Sequence, residues 1–147
     1  MEFKKLELKD GESIKEIIKT AFDMELPISG GWGYTKEEAT IVEDSSMPLS
    51  QLEFIFASMR ATLQMSITQP KEKRYGGINV KEIKKESSGG YEKALFEVSG
   101  IKEDIYKNLI DEYKNGYGKD DFDMEAHFKK REQNTIKKVE EFWFKLK

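Results

Sequence analysis

The sequence predicts a single α+β domain spanning 1–147, with a small mixed or antiparallel sheet covered by about four helices in the order β-α-β-α-β-β-α-α. Three observations lead there. Apolar residues recur at helical spacing after two capping-box pairs, other stretches alternate apolar and polar as half-buried strands do, and 147 residues suit one core.

The first strand is expected over Phe3–Leu8, where charged and apolar residues alternate. Ser13 and Glu16 then form a capping-box pair, and Ile14, Ile17, Ile18, Ala21 and Phe22 fall on one helical stripe. Pro27 stops that helix. Ser29–Tyr34 reads as a glycine-rich turn, and Ala39–Glu43 as a short strand.

Ser50 and Glu53 repeat the capping-box spacing, and Leu49, Leu52, Phe56, Met59, Leu63 and Ile67 continue with helical period up to Pro70. Phe54 and Met65 lie off that stripe, so this central helix should touch core on more than one side. Beyond it, Ser87–Gly90 reads as a hairpin loop followed by the alternating Ala94, Phe96 and Val98. In the preceding arm Ile78, Val80 and Ile83 change parity, which a bulge explains within a strand and a short helix explains otherwise; the hairpin is preferred.

Ile101, Ile105, Leu109, Ile110 and Tyr113 predict a helix closed at Asn115-Gly116 by a left-handed cap. A last helix is expected from about Asp123 toward the C-terminus, with Met124, Phe128, Ile136, Val139, Trp143 and Leu146 on a stripe broken by the polar run Lys129–Thr135.

Composition narrows the function. The 25 basic and 28 acidic residues are interspersed, giving a formal charge of -3 and no field to recruit nucleic acid, which is not an expected partner. The absence of cysteine removes disulfides, thiolate metal sites and thiol nucleophiles, and suits a reducing compartment. Met1–Asp10 lacks the apolar run of a secretory leader, and the least charged stretch, Ser45–Pro70, is too rich in Gln, Ser and Thr for a membrane span. A cytoplasmic location without membrane association is therefore expected.

No motif carries recognisable chemistry, and neither a metal nor a cofactor is expected. The acidic residues Asp120, Asp121, Asp123 and Glu125 do not align with a calcium loop and read as helix-start chemistry. His127 is the only histidine, which rules out a multi-histidine metal centre within the chain, and is read as a helix-surface or semi-buried residue.

Two sets of residues remain as candidates. The first is a pocket for a small polar ligand built from Trp32, Gly33 and Tyr34 of the glycine-rich loop with Glu53, Arg60 and Gln64 along one edge of the central helix. A glycine-rich loop presents backbone N–H groups to an anion, although this one lacks the spacing and the lysine of a phosphate-binding loop. Burial of Glu53 would raise its pKa into the range of a general base. Seven residues of helix rise by about 10 Å, so Glu53 and Arg60 each need their own partner. The plain alternative is a structural loop with Trp32 in the core.

The second set is Phe142, Trp143 and Phe144, which cannot share one side of a helix because consecutive residues diverge by about 100°. At least one should then be exposed and available to a second copy or a protein partner. A non-catalytic, self-associating interaction or regulatory module is the leading expectation, and a ligand-binding protein or enzyme the alternative.

Overall fold

The computed structural model describes residues 5–43, 47–119 and 121–146. Among them stand four α-helices and one five-stranded mixed sheet, so the α+β class holds while the element order differs from expectation.

Helix α1 covers Ile14–Phe22 and starts as its sequence dictates, with Ser13 Oγ accepting from Glu16 N–H at 3.4 Å. It ends at Asp23, which adopts a left-handed φ of 54°, four residues before the proline expected to stop it. The short strands β1 (Ile28–Gly30) and β2 (Thr40–Val42) pair antiparallel on either side of the glycine-rich loop. The strand over 39–43 was expected; β1 was hidden because its Ile-Ser-Gly resembles the turn that follows. Lys5–Leu8 form no strand, and Phe3 and Lys4 lie outside the described residues.

Helix α2 spans Leu49–Thr62 and continues through a wider π turn over Leu63–Ile67, where Thr68 N–H reaches back to the Leu63 carbonyl. It begins two residues earlier than the capping box indicates, with Pro48 at the N-cap, and the Ser50–Glu53 capping box does not form. Glu53 is instead turned into the interior with Leu52, Phe56 and Ala57.

Strand β3 (Tyr75–Ser88) and strand β4 (Tyr91–Lys102) make the expected hairpin. Its two-residue turn is Gly89-Gly90, with φ of 58° and 82°, a conformation that side chains resist and that matches the twist of the flanking strands. The change of parity resolves as a bulge: pairing slips between Glu82 and Lys84, leaving Ile83 as the extra residue.

Helix α3 covers Glu103–Gly116, while Ile101 belongs to the end of β4. The left-handed residue after it is Gly118, not Gly116, whose missing Cβ leaves room for the Phe122 ring. Helix α4 runs from Met124 to Asn134, with Asp123 Oδ1 accepting from Ala126 N–H at 3.0 Å.

The largest correction lies at the C-terminus. The expected helix stops at Asn134, and Ile136–Leu146 forms strand β5, giving the sheet order β1-β2-β5-β4-β3. β5 pairs antiparallel with β4 along its length and parallel with β2 at Phe144–Leu146. The polar run that broke the helical stripe marks the helix-to-strand boundary. Consecutive side chains of a strand point to opposite faces, so Phe142 and Phe144 both enter the core and Trp143 faces the other way.

The core lies between α2 and the inner face of the sheet. Phe56 meets Phe144 edge-on at 5.8 Å, Phe96 meets Phe142 edge-on at 5.1 Å, and Trp32 stacks on Phe56 at 6.2 Å. Each such ring contributes about 1.5–3 kcal/mol by leaving water. No helix of the described residues is long and apolar enough to cross a membrane.

Candidate functional site

The structure brings Tyr34, Arg60 and Gln64 together and sends Glu53 elsewhere. Arg60 is 0% exposed, with its guanidinium carbon 3.4 Å from the Phe142 ring centroid on one side and 4.2 Å from that of Tyr34 on the other. Its Nη1 donates to the Trp32 carbonyl at 3.1 Å; Nη2 donates to the Glu141 carbonyl at 2.9 Å and to Glu140 Oε2 at 3.2 Å. Burial pulls the guanidinium down to about 10, against Tyr34 and Glu140, which leaves it charged at neutral pH. The Tyr34 hydroxyl accepts from Leu6 N–H and donates to Gln64 Oε1, each at 3.0 Å.

This cluster has a shallow cleft of about 280 Å³ at its side, with Lys5 and Lys138 among its walls. Both terminal nitrogens of Arg60 and the Tyr34 hydroxyl are committed to other parts of the chain, while Arg60 Nε and the Trp32 indole N–H are buried without a hydrogen-bond partner among the described residues. Arg60 ties the glycine-rich loop and β5 to α2; Trp32 supplies a carbonyl and a core ring; Gly33, at φ of 83°, lets its own carbonyl receive Trp143 N–H at 2.8 Å. The candidate residues of the loop and Arg60 therefore meet as a clamp.

Glu53, also 0% exposed, joins a separate cluster on β3 and β4. Its Oε1 lies 2.7 Å from Lys85 Nζ, and the same ammonium stands 3.0 Å from Glu82 and 3.3 Å from Glu92, so one cation serves three carboxylates. Glu53 Oε2 is buried without a hydrogen-bond donor. Desolvation first, then the neighbouring Glu92 carboxyl, push Glu53 up to about 7, with Lys85 opposing. The raised pKa anticipated from burial is present, but Glu53 lines neither the cleft beside Arg60 nor the cavity between α3 and α4.

The better-formed cavity lies between α3 and α4, where the sequence offered only a lone histidine. It measures about 490 Å³ and is walled by Tyr106, Leu109, Tyr113, His127, Phe128 and Arg131, with Lys114 and Ile110 completing it. His127 is 3% exposed, buried more deeply than the helix-surface or semi-buried residue expected. Its Nδ1 is 3.3 Å from Glu112 Oε1; a carboxylate accepts only, so Nδ1 carries the hydrogen. That bond, then one from Lys130, holds the Glu112 carboxyl below its ordinary range. The imidazole sits 5.5 Å from Tyr113, 5.7 Å from Phe122 and 5.4 Å from Phe128, centroid to centroid.

The signal for this site was the density of aromatic residues between Tyr106 and Phe128, whose convergence depends on how two helices fold against each other. Among the described residues no group of three or more His, Asp or Glu is placed to hold a metal ion. Asp123 caps α4, and Asp120 lies outside the described residues.

Of the aromatic tail, Phe142 and Phe144 are core residues, and half-buried Trp143 donates its indole N–H to Glu141 Oε2 at 3.3 Å. Compared with known protein families, with curated proteins and with solved structures, the chain matches none of them.

Proposed function

We propose that this chain is a small-molecule-binding protein and that its site is the cavity between α3 and α4. One observation carries the reading: the buried His127, fixed by Glu112, stands in an aromatic-walled space of about 490 Å³, a volume typical of ligand sites. A mostly apolar pocket with a few convergent polar groups supplies affinity through its walls and orientation through the polar atoms. The Arg60 cleft is the weaker candidate, because both terminal nitrogens of the guanidinium are already bonded within the chain.

A protein-observed NMR screen with small ring compounds tests this. Binders should perturb the Tyr113, His127 and Phe128 ring signals, and Ile110→Trp, which fills the space, should abolish them while the fold is kept. Perturbations confined to Tyr34 and Gln64 would move the site to the other cleft and end this reading.

Self-association is the second reading, now on a different basis. Trp143 and Leu95 are half-buried on the sheet's outer face and Val139 there is 52% exposed, three apolar side chains set around the Lys93–Glu141 ion pair that a second copy can cover. Light scattering across a concentration series, with Val139→Lys as the disrupting variant, decides it. A monomer at every concentration would remove it.

A further inference from the structure

Resting on the site reading above, we infer that the α3–α4 cavity takes a small organic anion: a carboxylate carried on a flat, apolar body. The walls and the charges point to the two halves of such a molecule separately.

The walls come first. Tyr106, Tyr113 and Phe128 present ring faces and edges, and Leu109 closes the space from beneath as a buried residue. Flat apolar groups gain most here, since ring-on-ring contact adds to the area removed from water. A box of aromatic rings also suits an alkylammonium, whose positive charge the ring faces attract. The charges decide between the two.

Lys114 and Arg131 both line the cavity, and neither side chain has a carboxylate partner among the described residues. Arg131 has only the Tyr106 ring nearby, 5.9 Å from its guanidinium carbon to the centroid. The nearby acid, Glu112, is taken up by His127 and Lys130. The buried Arg60 is matched by Glu140 and the part-buried Lys85 by three carboxylates, whereas Arg131 is half-buried and Lys114 exposed at the cavity's edge. Two unmatched cations at the wall of an aromatic cavity repel an ammonium and attract a carboxylate, for which guanidinium offers a forked pair of donors.

The test is calorimetric titration of the full chain with three probes of one shape: 3-phenylpropionate, 3-phenylpropionamide and phenethyltrimethylammonium. Phenylpropionate should bind at least tenfold more tightly than the amide, with the ammonium weakest. Arg131→Met should bring phenylpropionate down to the amide's affinity and leave the amide unchanged, with Lys114→Met as the second variant should the first misfold. Lys71→Met, on a remote exposed turn, should change neither. Equal binding of acid and amide, or preference for the ammonium, would overturn the anion inference while the cavity remains a binding site. If none of the three binds while the protein stays folded, the site reading fails and the anion inference with it.

Discussion

Arg60 and His127 are both buried polar residues on helices, and the chain treats them in opposite ways. Arg60 spends its terminal donors on two backbone carbonyls and Glu140, and its faces on two rings, all within the chain. His127 commits one nitrogen to Glu112 and stands beside Lys114 and Arg131, which have no carboxylate partner among the described residues. Buried charge alone therefore does not mark a functional site. A polar group that closes on its own backbone holds the fold; a polar group beside unspent neighbours at a cavity is available to something else.

The strongest way to break this comparison is Arg60→Met. The substitution leaves Glu140 without its buried cation and two carbonyls without donors, and truncating one partner of a buried ion pair costs about 3–5 kcal/mol. Urea denaturation should show a loss of that size. A loss below about 1 kcal/mol would mean that Arg60 is not a clamp, and its cleft would regain its claim as a site.

Glu53 lies between the two extremes, buried like Arg60 but short of partners, and pH exposes the difference. Its pKa rises on folding from 4.5 to about 7, so the folded protein holds an extra proton between those values. Stability should fall as pH rises through that window, by about 3 kcal/mol in all, and stay lowered above it. Glu53→Gln removes this titration. The gap between variant and parent should therefore move in the variant's favour from pH 5 to pH 8, measured by denaturation at each pH, and a constant gap would refute the assigned protonation.

The parts that were legible from sequence are those in which local pattern and tertiary environment agree. The Ser13–Glu16 cap, the stripe from Leu49 to Ile67 and the Gly89-Gly90 turn each operate within a few residues, and each formed its element. Strand β5 was misread because Ile136, Val139 and Trp143 happen to fall at helical spacing. The contrary signal was present in Phe142-Trp143-Phe144, which no helix face accommodates and which strand alternation accommodates at once. Sheet order was not readable, since the parallel pairing of β2 with β5 joins Thr40 to Phe144 across most of the chain. The site was illegible for the same reason: His127 is defined by Glu112, fifteen residues away on another helix.

A milder test of the clamp is Tyr34→Phe. It keeps the ring over Arg60 but removes the hydroxyl that links Leu6 N–H to Gln64 Oε1. Two part-buried bonds are lost with nothing to replace them, and about 1–2 kcal/mol should go with them. Faster amide exchange at Leu6 than in the parent would locate the loss; an unchanged rate would mean that the hydroxyl does not hold the N-terminal segment.

The smallest expected effect is the most discriminating. Arg131→Met removes a cation from a cavity wall, as Arg60→Met removes one from the interior, but Arg131 has no carboxylate and no hydrogen-bonded carbonyl to abandon among the described residues, only a ring 5.9 Å away. A partly exposed cation over a ring at that distance is worth about 0.5–1 kcal/mol at most, and the methionine still covers the Tyr106 ring with its methylenes. The denaturation midpoint should therefore stay within about 0.5 kcal/mol of the parent in stability. A loss approaching that of Arg60→Met would show that Arg131 is bound into the fold by partners of its own, and the distinction between spent and unspent cations would no longer separate the two regions.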